Sequence, residues 1–189
     1  MRTFVAVELD RAVRERVGAL AGKLQIRCPK LAWVRPRNMH LTIKFLGEIE
    51  PAQVGPIQAA LDQAAKQCRG FDINIGKLGV FPPHGPVKVL WLGVEDMTGG
   101  LAECWRCCEE ALEEIGFARE ERPFSAHLTL ARNKNPRLSD EVRKLLHHPP
   151  PIAAQAQRVS ALTFYQSTQT GDGPVYESIS RHELCKDQV

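Results

Sequence analysis

The segment Arg35-Pro36-x-x-x-His40-Leu41-Thr42 recurs 87 residues later as Arg122-Pro123-x-x-x-His127-Leu128-Thr129. A second echo, Gly85-Pro86-Val87 and Gly173-Pro174-Val175, repeats at an offset of 88. Two echoes at nearly one spacing in a 189-residue chain point to an internal duplication, with repeats of roughly 1–86 and 87–189. The chain is therefore read as one α+β domain, 1–189, of two lobes related by a pseudo-twofold. Two similar α+β lobes facing each other across a groove is the architecture this implies.

The surroundings of the two motifs match. Strand-like runs span 3–8 and 88–94, and helical runs follow over 12–24 and 101–116. After the first motif Pro51 opens a helical stretch through Ala65, proline being favoured in a first turn. After the second, Ser139 and Asp140 are expected to cap a shorter helix ending near His147. Strand-like runs at 71–78 and 159–164 follow, and the Gly-Pro-Val segments are expected to complete the set of strands.

Composition limits the function classes. A net charge of +3 suits an anionic ligand but not a protein that coats nucleic acid. No run approaches the length that crosses a bilayer, and the apolar stretch 4–9 lacks the features of a signal peptide, so the cytoplasm is expected. Of the six cysteines, Cys104 and Cys108 fall on one helical face with Leu101, Leu112 and Ile115. Buried thiols fit this pattern better than zinc, because the Cys-x-x-Cys pair Cys104/Cys107 has no second pair or histidine nearby.

Along a strand, side chains alternate faces, so His40 and Thr42 point one way while Leu41 and Ile43 point the other. His127 and Thr129 do the same against Leu128 and Leu130. The Cα atoms of each His–Thr pair then lie about 7 Å apart. Two lobes facing each other would bring two imidazoles to opposite sides of one phosphate. One imidazole can take a proton from water while the other gives one to the leaving oxygen. The threonine hydroxyls would hold non-bridging oxygens. A metal site is the rival reading, but the motifs bring no third ligand at local spacing and none is expected. His147 and His148 abut three prolines as a solvated helix end, and His84 sits in a proline turn.

These residues give the chain a family resemblance. In RTFVAVEL, WVRPRNMHLTIKFLGE, GKLGVFPPHGPVKVLWLGV, ERPFSAHLTLAR and GPVYESI it resembles the two-histidine phosphoesterases, and among them the RNA 2′,3′-cyclic phosphodiesterases, or 2′-5′ RNA ligase-like proteins. The resemblance implies a bilobal fold, with antiparallel sheets lining a central cleft, helices outside and strands that can be exchanged between the lobes, and metal-free opening of a 2′,3′-cyclic phosphate to a 2′-phosphate. It also implies a reverse 2′-5′ ligation in some members. RNA ends, including those of tRNA fragments, are the implied partners, with no cofactor and a monomeric chain. It assigns His40, Thr42, His127 and Thr129 to catalysis, Arg132 to the phosphate and Phe45 to stacking on the terminal base. Strict alternation would put Arg132 on the face of Leu128 and Leu130, so a strand end or bulge past Leu130 is required. Alternation puts Lys44 on the His40 face, as a solvated cleft-edge residue or a phosphate contact, and allows Phe45 a core role. Since a basic neighbour favours a neutral imidazole, Arg132 beside His127 suggests His127 as base and His40 as acid.

Ser125-Ala126 and Arg37 depart from the family's usual residues beside the motifs and bear on substrate preference. Two other readings share these features. One is a hydrolase of small cyclic nucleotides or ADP-ribose cyclic phosphate. The other is a non-catalytic module that binds RNA ends.

Overall fold

Three prolines, Pro36, Pro51 and Pro136, each open a single turn that leads into a longer element. The computed structural model describes residues 1–171 and 173–186. In chain order it contains β1 (Arg2–Glu8), α1 (Arg11–Arg27), β2 (Ala32–Trp33), β3 (His40–Glu48), α2 (Val54–Gln67), β4 (Phe71–Phe81) and β5 (Val89–Glu95). Then follow α3 (Gly100–Glu113), β6 (His127–Arg132), α4 (Ser139–His147), β7 (Gln155–Val159), β8 (Ala161–Thr170) and β9 (Gly173–Glu183). The 3-10 turns at Pro36–Asn38, Pro51–Gln53 and Pro136–Leu138 place proline first, where a missing N–H costs no bond.

The strands form one antiparallel sheet in the order β7-β4-β5-β6-β3-β1-β8-β9, with β2 beside β6. The separate sheets expected from the repeat are thus joined. The joint is narrow, a single pairing of Leu41 with Leu128 between β3 and β6. Outward from it, β3 is followed by β1 and β8, and β6 by β5 and β4. Hence β4 from the first half of the chain lies on the β6 side, and β8 from the second half on the β3 side.

One face of the sheet carries Val5, Val7, Leu41, Ile43, Leu90, Leu92, Leu128 and Leu130 into the core. Helix α1 adds Val13, Val17, Ala21 and Leu24, spaced by three or four residues as a single buried stripe. Helices α2 and α3 meet through Ile57, Leu61 and Ala64 against Leu101, Cys104, Cys108 and Leu112. Each fully buried leucine contributes about 1.5–3 kcal/mol. Five cysteines are buried and Cys185 is exposed, all as free thiols. Burial pushes Cys107 up to about 11, so it stays protonated. Among the described residues no helix is long and apolar enough to cross a membrane.

Several elements differ from expectation. Helix α3 ends at Glu113, leaving Ile115 partly exposed at 37%. The run 159–164 is interrupted at Ser160, where β7 hands over to β8. Gly85-Pro86-Val87 is the turn between β4 and β5, whereas Gly173-Pro174-Val175 opens β9. Ser139 begins α4 instead of capping it. Its hydroxyl donates to Pro136 O (2.6 Å) and accepts the Val87 N–H (3.0 Å), tying α4 to that turn.

Candidate active site

Regular alternation carries His40 and Thr42, and likewise His127 and Thr129, away from the core, and then it breaks at the same place in both strands. On β1, Val5 pairs with Lys44 and Ala6 with Thr42, so Ile43 is an extra residue. On β5, Leu90 pairs with Ala131 and Trp91 with Thr129, so Leu130 is an extra residue. Each is a β-bulge that resets the phase of its strand. The residues from His40 to Phe45 and from His127 to Arg132 follow one burial order: half-buried, buried, half-buried, buried, buried, exposed. The bulges therefore turn Phe45 and Arg132, which sit 87 positions apart, onto the face of the histidines.

The same bulge buries Lys44, so this residue is neither a solvated cleft-edge lysine nor a phosphate contact. Its ammonium lies on the opposite face, donating to Glu109 Oε2 (2.7 Å) and Ala118 O (2.8 Å). Phe45 is 62% exposed, which excludes the core role.

Continuing the Leu41–Leu128 register sets His40 opposite Thr129 and Thr42 opposite His127. The two histidines become diagonal neighbours, about 7–8 Å apart at Cα. Each ring is oriented by the carbonyl two residues before it. His40 Nδ1–H donates to Asn38 O (2.8 Å), and His127 Nδ1–H donates to Ser125 O (2.7 Å). A carbonyl can only accept, so both rings keep the proton on Nδ1 and leave Nε2 for chemistry. Thr42 Oγ1–H donates to His40 Nε2 (3.1 Å). The Pro36–Asn38 turn fixes this carbonyl, because Asn38 is buried and its amide donates to Pro174 O at the start of β9 (2.7 Å).

Aromatic rings form the walls. His40 stacks on Phe4 (centroids 4.7 Å apart) and meets the edge of Tyr176 (5.2 Å), with Tyr165 behind Phe4 (5.2 Å). His127 meets Phe81 edge-on (4.9 Å) and lies near Trp91 (6.3 Å). Trp91 fits only because its partner on β4 is Gly79, where a Cβ would sit 2.2 Å from the indole. Sequence reasoning missed all five rings. A usable signal existed for two of them, since the chain has only two tyrosines and both lie on neighbouring strands. His84 lies in the turn between β4 and β5, His147 and His148 at the end of α4, and all three are exposed.

Burial pushes His40 down to about 4. The Asn38 carbonyl opposes this, while the charges of Arg132 and His127 across the joint add to it. The free site therefore holds His40 neutral at pH 7. In the unfolded chain an imidazole takes its proton near pH 6.5, so between about pH 6.5 and 4 the unfolded state binds more protons than the fold. Stability is expected to fall as pH drops through that window, by about 1.4 kcal/mol for each unit separating the two pKa values. Denaturant unfolding of the wild type and His40→Asn at several pH values checks this. The stability difference between them should shift steadily across the window, and parallel curves would contradict it.

The family described as LigT like Phosphoesterase matches residues 7–91. A Methanothermobacter thermautotrophicus protein named RNA 2′,3′-cyclic phosphodiesterase is 31% identical over 97% of this chain and 99% of its own length. One of the same name from Archaeoglobus fulgidus is 33% identical over 95% and 98%. Among solved structures, a Thermus thermophilus protein superposes with a TM-score of 0.80 over 100% of both chains at 24% identity, a likeness of fold. Two bulged strands carrying matched His-x-Thr pairs and the end-to-end similarity to these relatives lead to one conclusion: the chain belongs to the LigT-like, two-histidine phosphoesterase family.

Proposed function

We propose that the chain hydrolyses the 2′,3′-cyclic phosphate at RNA ends, tRNA fragments among them, to a 2′-phosphate by general acid–base catalysis without a metal. The observation that carries this is the pair of Nδ1-anchored imidazoles, each with a threonine two residues on, meeting across the β3–β6 joint. The names of the curated relatives support the reaction class. The matched burial order and bulges support an origin of the two halves by duplication. One chain carries both motifs, so a monomer suffices. Five buried free thiols fit a reducing, cytoplasmic setting.

The proposed role of each group follows from its chemistry. The cyclic phosphate lies between the imidazoles, with Thr42, Thr129 and Arg132 on its non-bridging oxygens and the terminal base against Phe45. A basic neighbour selects the base, and Arg132 acts on the His40 ring, so His40 takes that role in place of the expected His127. His40 Nε2 takes a proton from water, the water oxygen bonds to phosphorus, and the P–O3′ bond breaks. His127, entering the step as an imidazolium protonated on both nitrogens, gives its Nε2 proton to the departing 3′-oxygen and is left neutral. The phosphate anion draws the pKa of His40 back up, which makes it a stronger base when substrate is bound. An RNA 5′-hydroxyl in place of water would yield a 2′-5′ linkage by the same steps.

A cyclic substrate with sulfur at the 3′ bridge tests the assignment, since a thiolate leaves without a proton. It is expected to rescue His127→Ala and leave His40→Ala impaired. Rescue in the opposite order would exchange the two roles.

A further inference from the structure

We infer that Arg2 forms a second anion subsite, for the internucleotide phosphate 5′ to the reacting end, so that the chain favours cyclic-ended oligonucleotides over cyclic mononucleotides. This rests on the cyclic phosphodiesterase reading and adds a substrate class to it. Strand β1 keeps regular alternation, because the extra residues of the β1–β3 pairing, Ile43 and Leu46, belong to β3. Val5 and Val7 enter the core, while Phe4 meets His40. Arg2, Phe4, Ala6 and Glu8 thus share the catalytic face. Arg2 is exposed one step beyond Phe4, about 7 Å along the strand.

The neighbouring strands continue that row. Arg2 pairs with Ser167 on β8, and Ser167 pairs with Tyr176 on β9. Tyr176 leans back until its ring is 5.2 Å from His40 and 5.0 Å from Phe4. Its hydroxyl feels two positive charges, Arg132 and Arg2, which oppose the upward push of burial. Tyr176 is therefore flanked by one guanidinium at the reacting phosphate and another farther along β1. Across β3 the residue opposite Arg2 is Glu48, but that carboxylate pairs with the amino terminus (3.2 Å). Among the described residues no acid forms an ion pair with Arg2. A cationic side chain one step along β1 from Phe4, whose ring lies 6.1 Å from exposed Phe45, matches what a polynucleotide presents: alternating bases and phosphates. A cyclic mononucleotide has no second phosphate to place there.

Two probes test this, a cyclic mononucleotide and a dinucleotide ending in a 2′,3′-cyclic phosphate. The wild type is expected to favour the dinucleotide, and Arg2→Gln to lose about tenfold in kcat/KM on it, mainly through KM. The mononucleotide should lose far less, and Arg2→Lys should retain part of the preference. A dinucleotide with an uncharged methylphosphonate linkage should mimic Arg2→Gln in the wild type and show no further loss in the variant. Equal losses on both probes, or a wild type with no preference, would overturn the subsite while leaving the phosphodiesterase intact. Turnover of neither probe would overturn both.

Discussion

Alanine at His40 or at His127 is expected to lower turnover of a cyclic-ended RNA by about 10²–10⁴-fold in each case. In the proposed mechanism the two rings act on opposite ends of one in-line displacement, so losing either would leave the other with no complete reaction to assist. Groups that act as a unit are strongly non-additive, and the double variant should be little slower than the worse single one. Both variants should stay folded, because both side chains are only half-buried and neither belongs to the core cluster. Single-turnover rates with saturating substrate separate a chemical defect from weak binding. Near-normal turnover by either single variant would contradict the two-histidine mechanism.

The largest expected effect on stability comes from Lys44 and Glu109. Both are almost fully buried, with side-chain exposures of 5% and 3%, and their atoms lie 2.7 Å apart. Glu109 Oε2 also accepts the Glu120 N–H (3.0 Å), and Lys44 donates to Ala118 O (2.8 Å). One ion pair thus joins the catalytic strand β3 to α3 and to the 118–120 segment that leads toward β6. Removing one partner strands a charge in a poorly solvated place, at a cost of about 3–5 kcal/mol. Lys44→Met and Glu109→Gln are each expected to lose that much in denaturant unfolding. The combined Lys44→Met/Glu109→Leu variant should recover much of it, because no unpaired charge remains. A loss below about 1 kcal/mol for both single variants would show that the pair is hydrated.

The order of strands and helices was legible because apolar periodicity and proline punctuation are local properties. The facing of His40, Thr42, His127 and Thr129 was legible for the same reason, since each pair lies before any irregularity. Beyond Thr42 and Thr129 the rule of two failed. A bulge adds one residue to a strand and reverses the phase of all that follows, and neither Ile43 nor Leu130 announces it by residue type. Strict alternation therefore puts Lys44 on the wrong face and does not decide where Phe45 points. Arg132 could reach the phosphate only through a bulge invoked for it, and β6 contains one at Leu130. The aromatic walls and the action of Arg132 on His40 depend on strand order. Tyr165 and Tyr176 come from β8 and β9, more than 100 residues from Phe4, and only the pairing of β1 with β8 brings them together.

Metal-free hydrolysis that leaves the phosphate on the 2′-oxygen is open to a single assay. The purified protein, exhaustively treated with EDTA, is incubated with an oligoribonucleotide bearing a 2′,3′-cyclic phosphate end. Linear products are resolved by position of the phosphate. Undiminished conversion to the 2′-phosphate is the expected result. Activity lost on chelation and restored by one divalent ion would contradict the account, as would an accumulating 3′-phosphate.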